Sequence, residues 1–207
     1  MAKQKRMKVL DHEQGSKEWF AARAGLPTAS NFDKLITTKG EPSKQAQKYM
    51  YQLAGEAITG TKEEGFQSDA MTRGIEMEGE ARSLYSLATG LDVEEVGLCL
   101  MDGKVPAGAS PDGLVGDDGL VEIKCPKLAT HVEYMLADKM PTTYFQQVQG
   151  QLMVTDRDWC DFMSYYPAMP LFKVRVERDD IFIEALKVEL KKFNRELEAV
   201  VSKLKGE

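Results

Sequence analysis

Toward the C-terminus, apolar residues recur with a helical period. Leu186, Leu190, Phe193, Leu197, Val200 and Leu204 fall at alternating steps of four and three, which places them on one face of an α-helix running from Ile181 to Leu204. Three heptads make only a short coiled coil, so this stripe is expected to pack on the protein's own sheet. Earlier, SKEWFAARAGLPTASNFDKLI predicts a helix, a break at Gly-Leu-Pro, and a second helix with Thr28 or Ser30 at its N-cap. KQAQKYMYQLAGEAITG predicts a helix ending at Gly60, EEGFQSD a polar loop, and a further helix is expected from about Ile75 to Ala88, stopped by Thr89-Gly90.

From Val93 the pattern changes to short apolar runs separated by turn signals. VEEVGLCLMDGKVPAGASPDGLVGDDGLVEIKCP predicts a strand meander. Helical spacing returns in HVEYMLADKM and PTTYFQQVQGQLMV, after which WCDFMSYY and LFKVRVER read as strands joined by the turn PAMP. No internal repeat or low-complexity tract interrupts the series.

Composition narrows this picture. A chain of 207 residues with 43% hydrophobic content can bury one sizeable core, so a single domain over 1–207 is expected. No run of 18 apolar residues appears, and the basic leader MAKQKRMKVLDHEQGS lacks the apolar segment of a signal peptide, so the expectation is a soluble, cytoplasmic protein without a membrane span. Cys99, Cys125 and Cys160 form no CxxC pair, which argues against a disulfide framework, a zinc site or an iron-sulfur cluster. Lys plus Arg total 27 against 33 for Asp plus Glu, and the resulting net charge of -6 gives no bulk attraction to a polyanion. Any nucleic-acid surface must then be a local basic patch, for which the leader and KLATHVEYMLADK are candidates.

The stretch ASPDGLVGDDGLVEIKCP, residues 109–126, sets Asp112, Glu122 and Lys124 among small and apolar residues. A two-residue turn at Asp117-Asp118 would send Asp112 and Glu122 to opposite faces of a hairpin. A three-residue loop Asp117-Asp118-Gly119, with Gly119 left-handed, suits the residues better. It pairs Asp112 with Lys124 and brings Glu122 to the same face on the diagonal. Two carboxylates held close repel unless a cation joins them, and a hard divalent cation such as Mg2+ favours oxygen ligands. Such an ion lowers the pKa of bound water, and a neighbouring lysine stabilises charge on a phosphoryl oxygen, which fits phosphodiester hydrolysis. The bland alternative is an exposed ion-pair cluster worth under about 1 kcal/mol.

SPDGLV followed by GLVEIKCP resembles the PD-(D/E)-x-K nuclease core, and most closely the lambda exonuclease family, the YqaJ-like phage recombinases. EWFAARAGLPTASNF, RGIEMEGEAR, QQVQGQLMVT and WCDFMSYYP occur in that family's order. The resemblance spans about residues 13–180 and implies an α/β restriction-endonuclease-like core with a central mixed sheet flanked by helices. It makes Asp112 and Glu122 metal-binding carboxylates, with the Ile123 backbone carbonyl as a further ligand and Lys124 as water-orienting base or electrostatic helper. Glu78 matches the helical acid, with Glu76 and Glu80 as competitors. Gln147 matches the glutamine that supports the attacking water, against Gln146, Gln149 and Gln151. Arg23, Thr28 and Ser30 match a pocket for a DNA 5'-phosphate.

The resemblance further implies a Mg2+-dependent 5'-to-3' exonuclease with two ions per site, Mn2+ being the other candidate metal. It implies action on double-stranded DNA ends, mononucleotide products and a 3' overhang, in a homotrimeric ring working with a single-strand annealing protein. An endonuclease of the same superfamily and a non-catalytic DNA-end-binding protein are the rival readings. His12 and His131 lie outside every matched block.

Overall fold

Strand β6 (Gly119–Lys124) is buried along nearly its whole length, as a strand covered on both faces must be. It pairs antiparallel with β5 (Gly113–Val115) and parallel with β7 (Trp159–Ser164). β2 (Val93–Glu94) extends the sheet beyond β5 and β8 (Phe172–Glu177) beyond β7, giving a five-stranded mixed sheet ordered β2-β5-β6-β7-β8. The computed structural model describes residues 7–62 and 69–207. The expected polar loop falls, but for Asp69, outside them, as do the first six residues of the leader.

The parallel pair obliges the chain to cross over between β6 and β7. Helices α4 (Leu128–Ala137) and α5 (Phe145–Thr155), joined through a 3-10 turn at Thr142–Tyr144, supply that crossover. Within α4, His131 is fully buried, its ring nitrogens 2.7 Å from Ser164 Oγ and 3.1 Å from the Pro170 carbonyl, so it ties the helix to the sheet.

Alternation along β6 sends Leu120, Glu122 and Lys124 to one face and Val121 and Ile123 to the other. On the first face Leu114 and Leu120 join Val148 and Leu152 of α5, Phe32 of the 3-10 segment Ala29–Lys34, and helices α1 (Lys17–Arg23) and α2 (Ala46–Thr59) lie beyond it. On the second face Val121 and Ile123 meet Ala81 and Tyr85 of α3 (Asp69–Thr89). The architecture is thus a mixed sheet between helical layers, as expected.

Four expectations need correction. The second N-terminal helix is only the six-residue 3-10 segment, with Thr28 as its N-cap. The leader contains a strand, β1 (Met7–Leu10), which pairs with β3 (Leu98–Met101), itself paired with β4 (Gly108–Ala109). The meander is therefore divided between two sheets, because runs this short carry no signal of which partner they take. The helix α6 (Asp180–Lys205) buries Leu186, Leu190, Phe193 and Leu197 as predicted, but against α2 and α5 rather than directly on the sheet, whose face α5 already covers. Phe193 stacks on Tyr49 at 5.7 Å in that contact.

The fourth correction is the hairpin register. Leu114 pairs with Leu120 and Val115 with Gly119, so the loop is Gly116-Asp117-Asp118. Gly116 takes the positive φ, at 54°. Gly119 stays in the strand because the Trp159 indole lies across it, where an added Cβ would stand 2.1 Å from Cζ2. Continuing the ladder one step puts Asp112 across from Glu122 instead of Lys124. The pairing has slipped by two, an even number, so parity survives and the three charged residues still share a face. Arg157, from the loop after α5, holds the turn by donating to the carbonyls of Val115 (3.3 Å), Gly116 (2.8 Å) and Gly119 (2.7 Å).

Candidate active site

Glu122 lies at the centre of the site and is 1% exposed. Its Oε1 accepts from Lys124 Nζ at 2.5 Å and from Gln147 Nε2 at 2.5 Å, and its Oε2 accepts from Gln151 Nε2 at 2.6 Å. Lys124 follows two residues later on the same strand face. Gln147 and Gln151 stand one turn apart on α5, the i, i+4 relation that aims two side chains the same way. The glutamine assignment thus resolves into a pair, while Gln146 bonds the Ile36 carbonyl and Gln149 the Glu177 carbonyl. Lys124 also stands 5.2 Å from the centre of the Tyr144 ring.

Asp112 sits just before β5, where its Oδ2 accepts the Ile123 N–H at 2.6 Å. A strand residue directs its N–H and C=O to the same side, so the Ile123 carbonyl also points toward Asp112. The Lys124 carbonyl points the other way, to the end of β7, where it accepts at 2.8 Å from the N–H of Tyr165, the residue after the strand. The β5 ladder stops at Gly113 opposite Val121, and no strand residue of β5 faces Ile123.

Helix α3 brings Glu78 from the other layer. Arg82, one turn on, donates from NH2 to Glu78 Oε1 at 2.7 Å, from Nε to the Asp112 main-chain carbonyl at 3.2 Å, and from NH1 to Glu95 Oε1 at 2.6 Å. Glu80 instead accepts from Tyr165 OH at 2.5 Å, and Glu76 is exposed. The helix therefore sends only Glu78 into the electrostatic neighbourhood of Glu122 and Lys124.

Crowding of acids shows in their titration. Burial above all, and then repulsion by Glu122, raises the Asp112 carboxyl well above its usual range. Burial likewise raises Glu78, partly offset by Arg82 and reinforced by Glu122. Burial works against the charge of Lys124, but Glu122 and Asp112 outweigh it and hold the ammonium above its ordinary pKa.

Among the described residues no three His, Cys, Asp or Glu side chains form a ready cage for an ion. The donor set that is present nonetheless suits a hard divalent cation: two facing carboxylates, a main-chain carbonyl turned toward them, and repulsion that such a cation would relieve.

A second polar centre lies at the N-terminal side. Arg23 is 6% exposed, with Cζ 4.1 Å from the centre of the Trp19 ring. Its NH2 donates to Thr28 Oγ1 and Ser30 Oγ, each at 3.2 Å, and its NH1 to Ser110 Oγ at 3.2 Å. The Thr28 hydroxyl caps no helix, which leaves it for Arg23. Trp19 Nε1 also donates to Ser110 Oγ, at 3.0 Å. No carboxylate forms a salt bridge with Arg23 among the described residues. Burial draws its pKa down to about 10, against a smaller opposing pull from Tyr49 and Glu56, so the guanidinium is desolvated and its direct hydrogen bonds go to neutral hydroxyls. That is how a site for an anionic ligand is built.

The structure thus brings together Asp112, Glu122, Lys124, Gln147 and the Ile123 main chain, with Glu78 at their side, and separately Arg23, Thr28 and Ser30. The sequence offers Gln151 as a competitor of Gln147, whereas the structure uses both; Arg82 and Ser110 were missed, as was the bond from Trp19 to Ser110. Ser110 was within reach, since it stands in SPDG two residues before Asp112; Arg82 had the i+4 spacing from Glu78 as its only signal.

Comparison with known proteins places the chain among relatives of the same fold. Residues 18–158 match the YqaJ-like viral recombinase domain. An alkaline exonuclease from Laribacter hongkongensis, LHK-Exo, is 43% identical, superposes with a TM-score of 0.83, and is matched over 96% of its length and 92% of this chain. A second structure of that enzyme, in complex with dAMP, superposes equally well. A phage-related exonuclease from Haemophilus somnus 129PT, at 15% identity and a TM-score of 0.66, covers 86% of this chain and 96% of its own, and shares the fold. An uncharacterized protein of Acanthamoeba polyphaga mimivirus is 28% identical over 170 residues, which are 76% of this chain but only 30% of that protein. The matched span contains both polar centres, and the chain belongs to the YqaJ-like viral recombinase domain family.

Proposed function

We propose that this protein is a metal-dependent 5'-to-3' exonuclease acting on the ends of double-stranded DNA. The observation that carries the reading is the adjacency of the two polar centres. Ser110, which Arg23 touches, and Asp112, in the acidic cluster, are two residues apart, at most about 7 Å along the chain. An enzyme that starts only from an end needs an end-recognition pocket beside its cutting site. A 5'-phosphate is a dianion suited to Arg23, Thr28, Ser30 and Ser110, and holding it there sets the first internal phosphodiester over Asp112 and Glu122. The product is then a mononucleotide and the residual strand a growing 3' overhang. The dAMP bound by the Laribacter relative is a product of this kind.

Asp112, Glu122 and the Ile123 carbonyl would hold the cations, two Mg2+ or in their place Mn2+, with Glu78 completing the set. Bound there, the ions supply Lewis-acid stabilisation of phosphoryl oxygens and an acidified water. Lys124, whose Nζ stands 2.5 Å from Glu122 Oε1, serves as the water-orienting base or as an electrostatic helper to the phosphoryl charge. Gln147 and Gln151 fix both oxygens of Glu122. A homotrimeric ring closed around the duplex, delivering overhangs to a single-strand annealing protein, completes the reading.

The test uses linear duplex with a 5'-phosphate, the same duplex with a 5'-hydroxyl, and covalently closed circles, each with Mg2+ or EDTA. The phosphorylated linear form should be degraded from its 5' ends, only with Mg2+, and not at all by Asp112→Asn. Arg23→Gln should remove the preference for the phosphorylated end, by about 10- to 100-fold for hydrogen bonds to a charged group. Degradation of closed circles would favour an endonuclease. Binding of ends without hydrolysis would favour a non-catalytic end-binding protein.

A further inference from the structure

Arg82 belongs to neither polar centre by its charge, yet it contacts the supports of both outer acids of the cluster. It is 16% exposed and satisfies three acceptors from three segments. Glu78 Oε1 comes from its own helix. The Asp112 carbonyl is the main chain beneath a cluster carboxylate, and Glu95 lies in the link between β2 and β3. Glu78 Oε2 has no hydrogen-bond partner among the described residues, so the guanidinium engages one oxygen of Glu78 and leaves the other free. The pair with Glu95 is of a different kind: Glu95 is 71% exposed, and water screens such a contact to little net value.

α3 packs on the opposite face of the sheet from Glu122. Its acid therefore enters the cluster only if the middle turns of the helix are held in register with the start of β5. Among the described residues, the side-chain hydrogen bond that links Glu78's turn to Asp112 is the one from Arg82. A planar guanidinium fixes both directions at once, which a lysine ammonium cannot do.

We propose that Arg82 is a positioning residue that sets the divalent-cation affinity of the cluster by locking Glu78 to the Asp112 main chain. This rests on the metal-dependent reading above and adds to it a residue outside the ligand set. Partners that orient metal ligands in this way change metal affinity by about 10- to 100-fold when removed.

The experiment measures Ca2+ binding by calorimetry on the DNA-free protein, and separately the Mg2+ concentration giving half-maximal cleavage. Arg82→Met should weaken Ca2+ binding and raise the Mg2+ requirement together, each by about 10-fold or more, with cleavage at saturating Mg2+ largely recovered. Arg82→Lys should recover part of the affinity. Glu95→Gln should leave it unchanged. Unaltered Ca2+ affinity in Arg82→Met would overturn the proposal, and so would tighter binding, which would make Arg82 a cation that merely competes with the metal. Circular dichroism melts check that Arg82→Met folds, and should it fail, the comparison of Arg82→Lys with Glu95→Gln decides the same question. A wild-type protein that neither binds Ca2+ nor cleaves DNA would instead defeat the metal-dependent reading itself.

Discussion

Two aspartates, one fully buried and one half-buried, show how side chains of one kind divide into structure and chemistry. Asp161 is fully buried on the face opposite Glu122, where Arg175 donates to both its oxygens and Lys173 and Tyr85 add two more contacts. Burial alone would raise its pKa, but these donors win and lower it. Asp112 receives one N–H from Ile123 and looks toward Glu122 and Glu78, and its pKa goes up. A carboxyl raised in the folded state binds more protons there than in the unfolded chain, so stability falls as pH rises from the ordinary carboxylate range through the raised value. Asp112→Asn keeps an acceptor for the Ile123 N–H and removes the charge. In EDTA at pH 8 this variant should melt above wild type, and the gap should close toward pH 3. Each tenfold change in proton affinity is worth about 1.4 kcal/mol, and each kcal/mol about 2–4 °C for a chain of this size. Differential scanning calorimetry across pH provides the check; a variant no more stable than wild type at pH 8 would show that Asp112 carries no such strain. Added Ca2+ should stabilise wild type more than the variant.

At the scale of elements, the two polar centres stay in register because α5 lies flush on the 3-10 segment that carries Ser30. Gly150 permits the approach: a Cβ there would stand 2.4 Å from Phe32 Cδ2 and 3.2 Å from Ala29 Cβ. Gly150→Ala must push the segment away from the helix that bears Gln147 and Gln151. Overpacking of this kind costs about 1–3 kcal/mol, a drop of about 2–12 °C in melting temperature. Cleavage of 5'-phosphorylated ends should suffer more than cleavage of hydroxyl ends, since the pocket itself moves. Equal losses on both substrates would mean that the two centres do not depend on this contact. The same elements show what a sequence can convey. Periodicity located α2, α5 and α6 because long stripes average over many residues. It placed Asp112, Glu122 and Lys124 on one face because parity withstands an even slip of the hairpin. It could not choose Gly116 over Gly119 for the left-handed position, since that choice turns on Trp159, some 40 residues away in the chain. It could not assign β1, β3 and β4 to a separate sheet for a similar reason: strands of two to four residues are defined by their partners. Ser110 and Arg82 escaped notice because each acts by contacts across the fold.

For the molecule as a whole, the net charge of -6 poses the question of how an exonuclease of the proposed kind would keep hold of DNA. Phosphate contacts alone give binding that weakens steeply with salt, and this chain has few cations to spare. Arg23 is desolvated, and Lys62, whose pKa is lowered by burial and by Arg23, is near it. Under the proposed function these groups would capture an end, one event per substrate. Continued digestion needs another hold, and enclosure of the duplex by a ring would supply one that salt does not weaken. The two sources can be separated by timing. If the protein closes into a ring, a salt jump given before mixing should suppress cleavage, whereas the same jump given after digestion has begun should leave it running at nearly the original rate. Single-turnover time courses with a trap of unlabelled ends distinguish the cases. Digestion that stops at once after a late jump would mean the chain holds DNA by charge alone, and the trimeric ring would fall while the chemistry of Asp112, Glu122 and Lys124 stood.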